Sequence, residues 1–140
     1  MQTTRRRTLA LGAAAGLGAL MPGMGRADPA VQALIDGFAR GRGLAIGGIT
    51  LTLPDVAENG FTVPIAVAAP GATEILLIAP GNPVPALCTF RFGTAAPGGR
   101  AATRVRLARS QEVIALARFG DGRVARVSRP VEVTVGGCGA

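Results

Sequence analysis

Cys138 is the side chain best placed to do chemistry alone. It lies in Gly136-Gly137-Cys138-Gly139-Ala140, directly after the valine-rich run Val131, Val133 and Val135. The residues flanking it are glycine or alanine, so nothing near it in sequence can bury the sulfur. Glycine is thin and conformationally free, and such a tail suits a thiol that threads into another protein's narrow pocket. Five extended residues reach at most about 17 Å, enough to enter a cleft. The tail holds no group that would activate the thiol, and the terminal carboxylate two residues on opposes thiolate formation. A self-sufficient cysteine enzyme needs a base or a positive neighbour. The pattern therefore suits a covalent handle whose chemistry is done by partners. Spacing alone leaves two other readings open: an incidental cysteine at a frayed end, and a disulfide, either to Cys88 or between two Cys138 tails.

Composition narrows the chemistry further. The 140 residues contain no His, Trp or Tyr, and all 15 basic residues are Arg. Without His the chain lacks the usual general base at neutral pH and the commonest transition-metal ligand, which excludes a cupredoxin-like metal site. A thiol-redox enzyme is disfavoured because no Cys-x-x-Cys is present. At 49% hydrophobic and 16% charged residues, a packed core in one domain is expected.

The first 27 residues read as an export signal. Arg5, Arg6 and Arg7 form a basic head, an apolar run from Leu9 to Met21 follows, and Gly25-Arg26-Ala27 supplies small residues for cleavage. The run is too short and glycine-rich for a permanent membrane span. Paired arginines before a mild apolar run favour the twin-arginine route, and hence a periplasmic location. Cleavage after Ala27 would leave 11 arginines against 8 acidic residues, a net charge of +3. A moderately basic exported domain is not expected to meet nucleic acid. The domain would span residues 28–135, with 136–140 as a flexible arm.

The elements that must position the arm follow from pattern. Asp28 can cap a helix with Pro29 in its first turn, and Val31, Leu34, Ile35 and Phe38 form one apolar stripe that Gly41 and Gly43 end. From Gly48 the period becomes two. Seven or eight short strands with turn chemistry between them predict an all-β, immunoglobulin-like sandwich with a short N-terminal helix. Pro64 marks an edge strand or bulge. Pro80 to Pro85 reads as a stiff crossover between sheets, and Asp121-Gly122 as a hairpin turn. Val131 to Val135 is expected as a separate last strand. The apolar faces of Val63 to Val67 and Ile75 to Ile78 serve either the core or a subunit interface. Cys88, Phe90 and Phe92 alternate onto one face, which makes Cys88 a buried small hydrophobe.

The ending Val131-Glu132-Val133-Thr134-Val135-Gly136-Gly137-Cys138-Gly139-Ala140 resembles that of the SoxY family, the sulfur-carrying subunits of bacterial thiosulfate-oxidising complexes. Their hallmark is a terminal Gly-Gly-Cys-Gly-Gly. Similar stretches run through Leu53 to Gly60, Val63-Pro64-Ile65, Asn82-Pro83, Thr89 to Phe92 and Arg104 to Gln111, in order. A twin-arginine signal also belongs to the family. Ala140 departs from the usual final Gly, and Cys88 is outside the motif. The resemblance implies Cys138 as the covalent sulfur site, with Gly136, Gly137, Gly139 and Ala140 as its arm and no cofactor. It implies a heterodimer with a SoxZ subunit. It also implies transient contacts with a haem enzyme that loads thiosulfate, a dimanganese hydrolase and a sulfur dehydrogenase.

Two rows of arginine remain. Arg104 and Arg106 share a face, and Arg118, Arg123, Arg126 and Arg129 cluster late in the chain. They either steer an anionic ligand or acidic surface toward the tail, or form a solvated outer face. An exported β-sandwich acting as a binding module is the competing function, and it has no need of the last five residues.

Overall fold

Helix α1 (Pro29–Ala39) forms where the apolar stripe predicts it. The computed structural model describes residues 28–95 and 98–136. The export signal with Arg5, Arg6 and Arg7, and the arm residues Gly137, Cys138, Gly139 and Ala140, lie outside the described residues. Asp28 caps the helix through its side chain, which accepts from the Ala30 amide at 2.9 Å. The stripe packs inward, with Val31, Ile35 and Phe38 buried and Leu34 beside them. The helix ends one residue earlier than the glycines suggest. Arg40 itself takes the left-handed conformation, φ 50°, and its amide returns to Asp36 O.

Nine strands follow among the described residues: β1 (Leu44–Ile46), β2 (Thr50–Thr52), β3 (Val56–Ala57), β4 (Val63–Ala68), β5 (Ala72–Ile78), β6 (Ala86–Arg91), β7 (Arg100–Val105), β8 (Gln111–Phe119) and β9 (Val124–Val133). The larger sheet runs β1-β9-β8-β5-β6, with β3 pairing another stretch of β9, and the smaller runs β2-β4-β7. The two sheets face each other as a sandwich, and α1 covers the outer face of the larger one.

That three-layer arrangement explains the apolar runs of β5 and β8. Ile75, Leu77, Val113, Ala115 and Ala117 join Val63, Ile65 and Val67 of the smaller sheet in the inter-sheet core. Leu76, Ile78, Ile114 and Leu116 point the other way and meet Val31, Ile35 and Phe38 of α1. A strand buried on both faces needs a continuous apolar run rather than alternation. Both faces in question in the sequence thus serve the core. Arg118 locks the helix down. It pairs with the Glu74 carboxylate, donates to Phe38 O and lies 4.5 Å from the centre of the Phe38 ring.

Four local expectations change. The Pro80 to Pro85 segment joins β5 to β6, antiparallel neighbours in one sheet, so it is a hairpin connection. After β5 the chain crosses to the smaller sheet between β6 and β7. Pro64 lies in the central strand of the smaller sheet. It is tolerated because β2 reaches only Ala66, leaving Pro64 paired with β7 alone. The expected last two strands are one continuous β9, carried through Pro130. That proline falls where β8 is the neighbour, between the stretches paired with β1 and β3. Cys88 is half-buried rather than buried, because β6 is the sheet edge. The Asp121-Gly122 turn forms as expected. Gly122 adopts φ 85°, and Asp121 Oδ1 accepts from the Arg123 amide at 2.8 Å.

Candidate functional site at the root of the C-terminal tail

The chain enters its tail from the end of β9, and backbone pairing fixes where it leaves. β3 runs parallel to that end, with Val56 opposite Glu132 and Ala57 opposite Val133. Beyond the strand, Thr134 N donates to Ala57 O at 3.0 Å and Gly60 N donates to Val135 O at 2.8 Å. Gly60 is a relay, since its own carbonyl accepts from Leu107 N at 2.8 Å. From the opposite side, Val133 N donates to Ser110 Oγ at 2.8 Å. Thus β3, the turn before β4 and the β7–β8 loop hold the tail root together.

Asn82 braces that loop. Its amide nitrogen donates to Arg106 O at 2.7 Å, and its oxygen accepts from Ala108 N at 2.9 Å. Gln111 completes the brace, donating to Asn82 Oδ1 at 3.1 Å and accepting from Gly81 N at 2.7 Å. Loop backbone has no ladder partner, so side-chain amides satisfy it. The Gly81-Asn82-Pro83 turn is therefore an anchor for the tail's supporting loop.

Gly136, the first arm residue, is half-buried. A Cβ built there would stand 2.4 Å from Ala108 O, closer than real Cβ atoms approach an oxygen. Glycine is required at this position for close backbone approach. Cys138 follows two residues later, outside the described residues.

The arginines divide. Arg118 is engaged as described. Arg123 lies 4.0 Å from the centre of the Phe119 ring, and Arg129 bonds Asp55 Oδ1 at 3.0 Å and Leu51 O at 3.4 Å. These three serve the fold. Arg126 is partly covered on β9, whereas Arg104, Arg106 and Arg109 are exposed, the last two on the loop that Asn82 braces. Cys88 packs against the inter-sheet core, and desolvation by burial raises its thiol above the ordinary value of 9.0. Gly60, Ser110, Gln111 and the anchoring role of Asn82 were not readable as site features. The only trace was a polar amide set between Gly81 and Pro83 in a loop that must satisfy its own backbone.

Fold and site together define an immunoglobulin-like β-sandwich in which the strand leading to the C-terminal tail is anchored through Val135 at one end. The family model for sulfur oxidation protein SoxY matches residues 38–138. Among solved structures, the sulfur carrier protein SoxY from Chlorobium limicola f thiosulfatophilum is 31% identical, with a TM-score of 0.60, covering 75% of this chain and 99% of that one. The chain belongs to the SoxY family. A superoxide reductase (neelaredoxin) from Ignicoccus hospitalis shares the fold alone, at 13% identity and a TM-score of 0.56, covering 77% of this chain and 90% of that one. A comparison with curated proteins finds no match.

Proposed function

We propose that this chain is the sulfur carrier of a thiosulfate-oxidising system and holds its intermediates covalently on the Cys138 thiol. The supporting observation is the extent of the family match, whose last residue is position 138, the cysteine itself. The solved relative is named a sulfur carrier protein, and the tail root described above gives such a thiol a fixed point of departure.

In the proposed cycle, a haem enzyme accepts two electrons as the Cys138 sulfur joins the outer sulfur of thiosulfate, and the thiol proton is released. The product is a cysteine S-thiosulfonate. A dimanganese hydrolase adds water to its sulfonate sulfur and breaks the sulfur–sulfur bond to it. Sulfate leaves, and a persulfide stays on Cys138. A sulfur dehydrogenase, where present, removes six electrons from the outer sulfur as three water oxygens replace its hydrogen. A second hydrolysis then frees sulfate and regenerates the thiol. The carrier itself supplies no catalytic group or cofactor.

Export by the twin-arginine route to the periplasm fits this role. The route carries folded proteins, so a SoxZ partner without a signal could cross with this chain. Replacing Cys138 by Ser tests the reading. Thiosulfate-dependent respiration should disappear while the purified variant keeps its melting temperature; retained respiration would return the chain to the exported binding modules.

A further inference from the structure

Large apolar side chains stand exposed around the tail root. Phe61 is 48% exposed, Val84 71% and Val135 56%. Each lies within two residues of a hydrogen bond that builds the root. Phe61 follows Gly60, which bonds Val135 O, and Val84 lies two residues beyond Asn82, which bonds Arg106 O and Ala108 N. Arg106 and Arg109 sit on the same loop and are exposed, and Glu58 and Glu132 are the exposed acidic residues nearest the root in the chain. Exposed apolar groups gathered at one place mark interaction surfaces more often than singly scattered ones.

The short tail gives this surface its purpose. Val135 O is bonded by Gly60 N, Gly136 lies close beside Ala108 O, and Cys138 is only two residues further along the chain. Two residues extend about 7 Å at most. An enzyme cleft that receives the Cys138 sulfur must therefore bring its mouth down onto the root. We propose that Phe61, Val84 and Val135 form a docking collar for that mouth, with Arg106 and Arg109 on its rim. The matching surface on the enzyme is an apolar lip bearing a carboxylate. The apolar residues hold the complex, and the rim charges set its rate of formation and salt dependence. This inference rests on the carrier reading and adds a recognition surface to it.

The test measures thiosulfate loading of Cys138 by the haem enzyme that performs it, followed by the mass of the C-terminal peptide. Substrates are the parent chain, Phe61→Asp/Val84→Asp, Ile46→Asp and a synthetic peptide of residues 133–140. Ile46 is 97% exposed and lies on β1, which pairs with the start of β9, at the far end from the tail root. The collar variant should lose about tenfold in kcat/KM, mostly through KM, and approach the peptide. Ile46→Asp should match the parent, and iodoacetamide should label Cys138 equally in all. A parent-like kcat/KM in the collar variant overturns the collar and leaves the carrier standing. The same result in the milder Phe61→Ser/Val84→Ser overturns it even where the Asp pair fails to fold. Failure of the parent chain to load overturns the carrier reading and the collar with it.

Discussion

Two cysteines of one chain are set up for opposite behaviour. Cys88 packs beside the inter-sheet core, and desolvation raises its pKa, so little thiolate forms at neutral pH. Cys138 has only glycine and alanine as its neighbours from Gly136 to Ala140 in the sequence. In the native protein at pH 7, iodoacetamide should modify Cys138 well before Cys88, and Cys88 should react fully only after denaturation. Peptide mapping over time checks this. The sign for stability follows from the same shift. The folded state holds the Cys88 proton more tightly than the unfolded chain, so its contribution is intact below about pH 9 and declines as pH rises further. At Gly136, a methyl would meet Ala108 O. Gly136→Ala should leave global stability within about 1 kcal/mol but redirect the tail, lowering Cys138 loading by partner enzymes several-fold. Urea denaturation and loading rates separate the two effects.

At the scale of elements, the brace around Asn82 and the latch on α1 carry the testable weight. Asn82→Ala strips partners from Arg106 O, Ala108 N and Gln111 Nε2. It should cost about 2 kcal/mol in urea denaturation. Arg118→Met removes the Glu74 pair and the Phe38 carbonyl bond from a largely buried site. A similar loss of about 2 kcal/mol is expected there, with α1 loosening first in hydrogen exchange. The helix and the Asp121-Gly122 hairpin were legible in sequence because their signals are local: a cap, a stripe, a turn residue that accepts positive φ. The role of Pro80 to Pro85 was not, because whether a loop changes sheets depends on pairing between distant strands. Pro64 misled for the same reason, and so did the expected break before Val131, where Pro130 sits within β9. Each proline sits in a strand at a point flanked on one side only, and flanking is decided by how far neighbouring strands extend. For the proposed site, the tail's composition singled out Cys138, which lies outside the described residues. The residues that hold its root gave no such sign, since Gly60 acts through two backbone bonds and Ser110 through one hydroxyl bond, all to residues far along the chain.

The whole molecule is a three-layer scaffold with its two ends differently employed. The helix and the Asp121-Gly122 turn lie toward the start of β9, and the tail root lies at its finish. Leu116, fully buried between α1 and the larger sheet, reports on the layering. Leu116→Ala should destabilise by about 2–5 kcal/mol. The arginines that remain exposed near the tail are too few to make a strongly basic surface, so affinity for partners should come chiefly from the collar and the tail. The proposed carrier role of Cys138 is tested most directly by intact mass spectrometry of the protein purified without reductant from thiosulfate-grown cells. The expected result is a chain beginning at Asp28 with reductant-sensitive additions of sulfur or thiosulfonate mapped to the C-terminal peptide. A Cys138 that stays unmodified there, and also after incubation with thiosulfate and the partner enzymes, would contradict it.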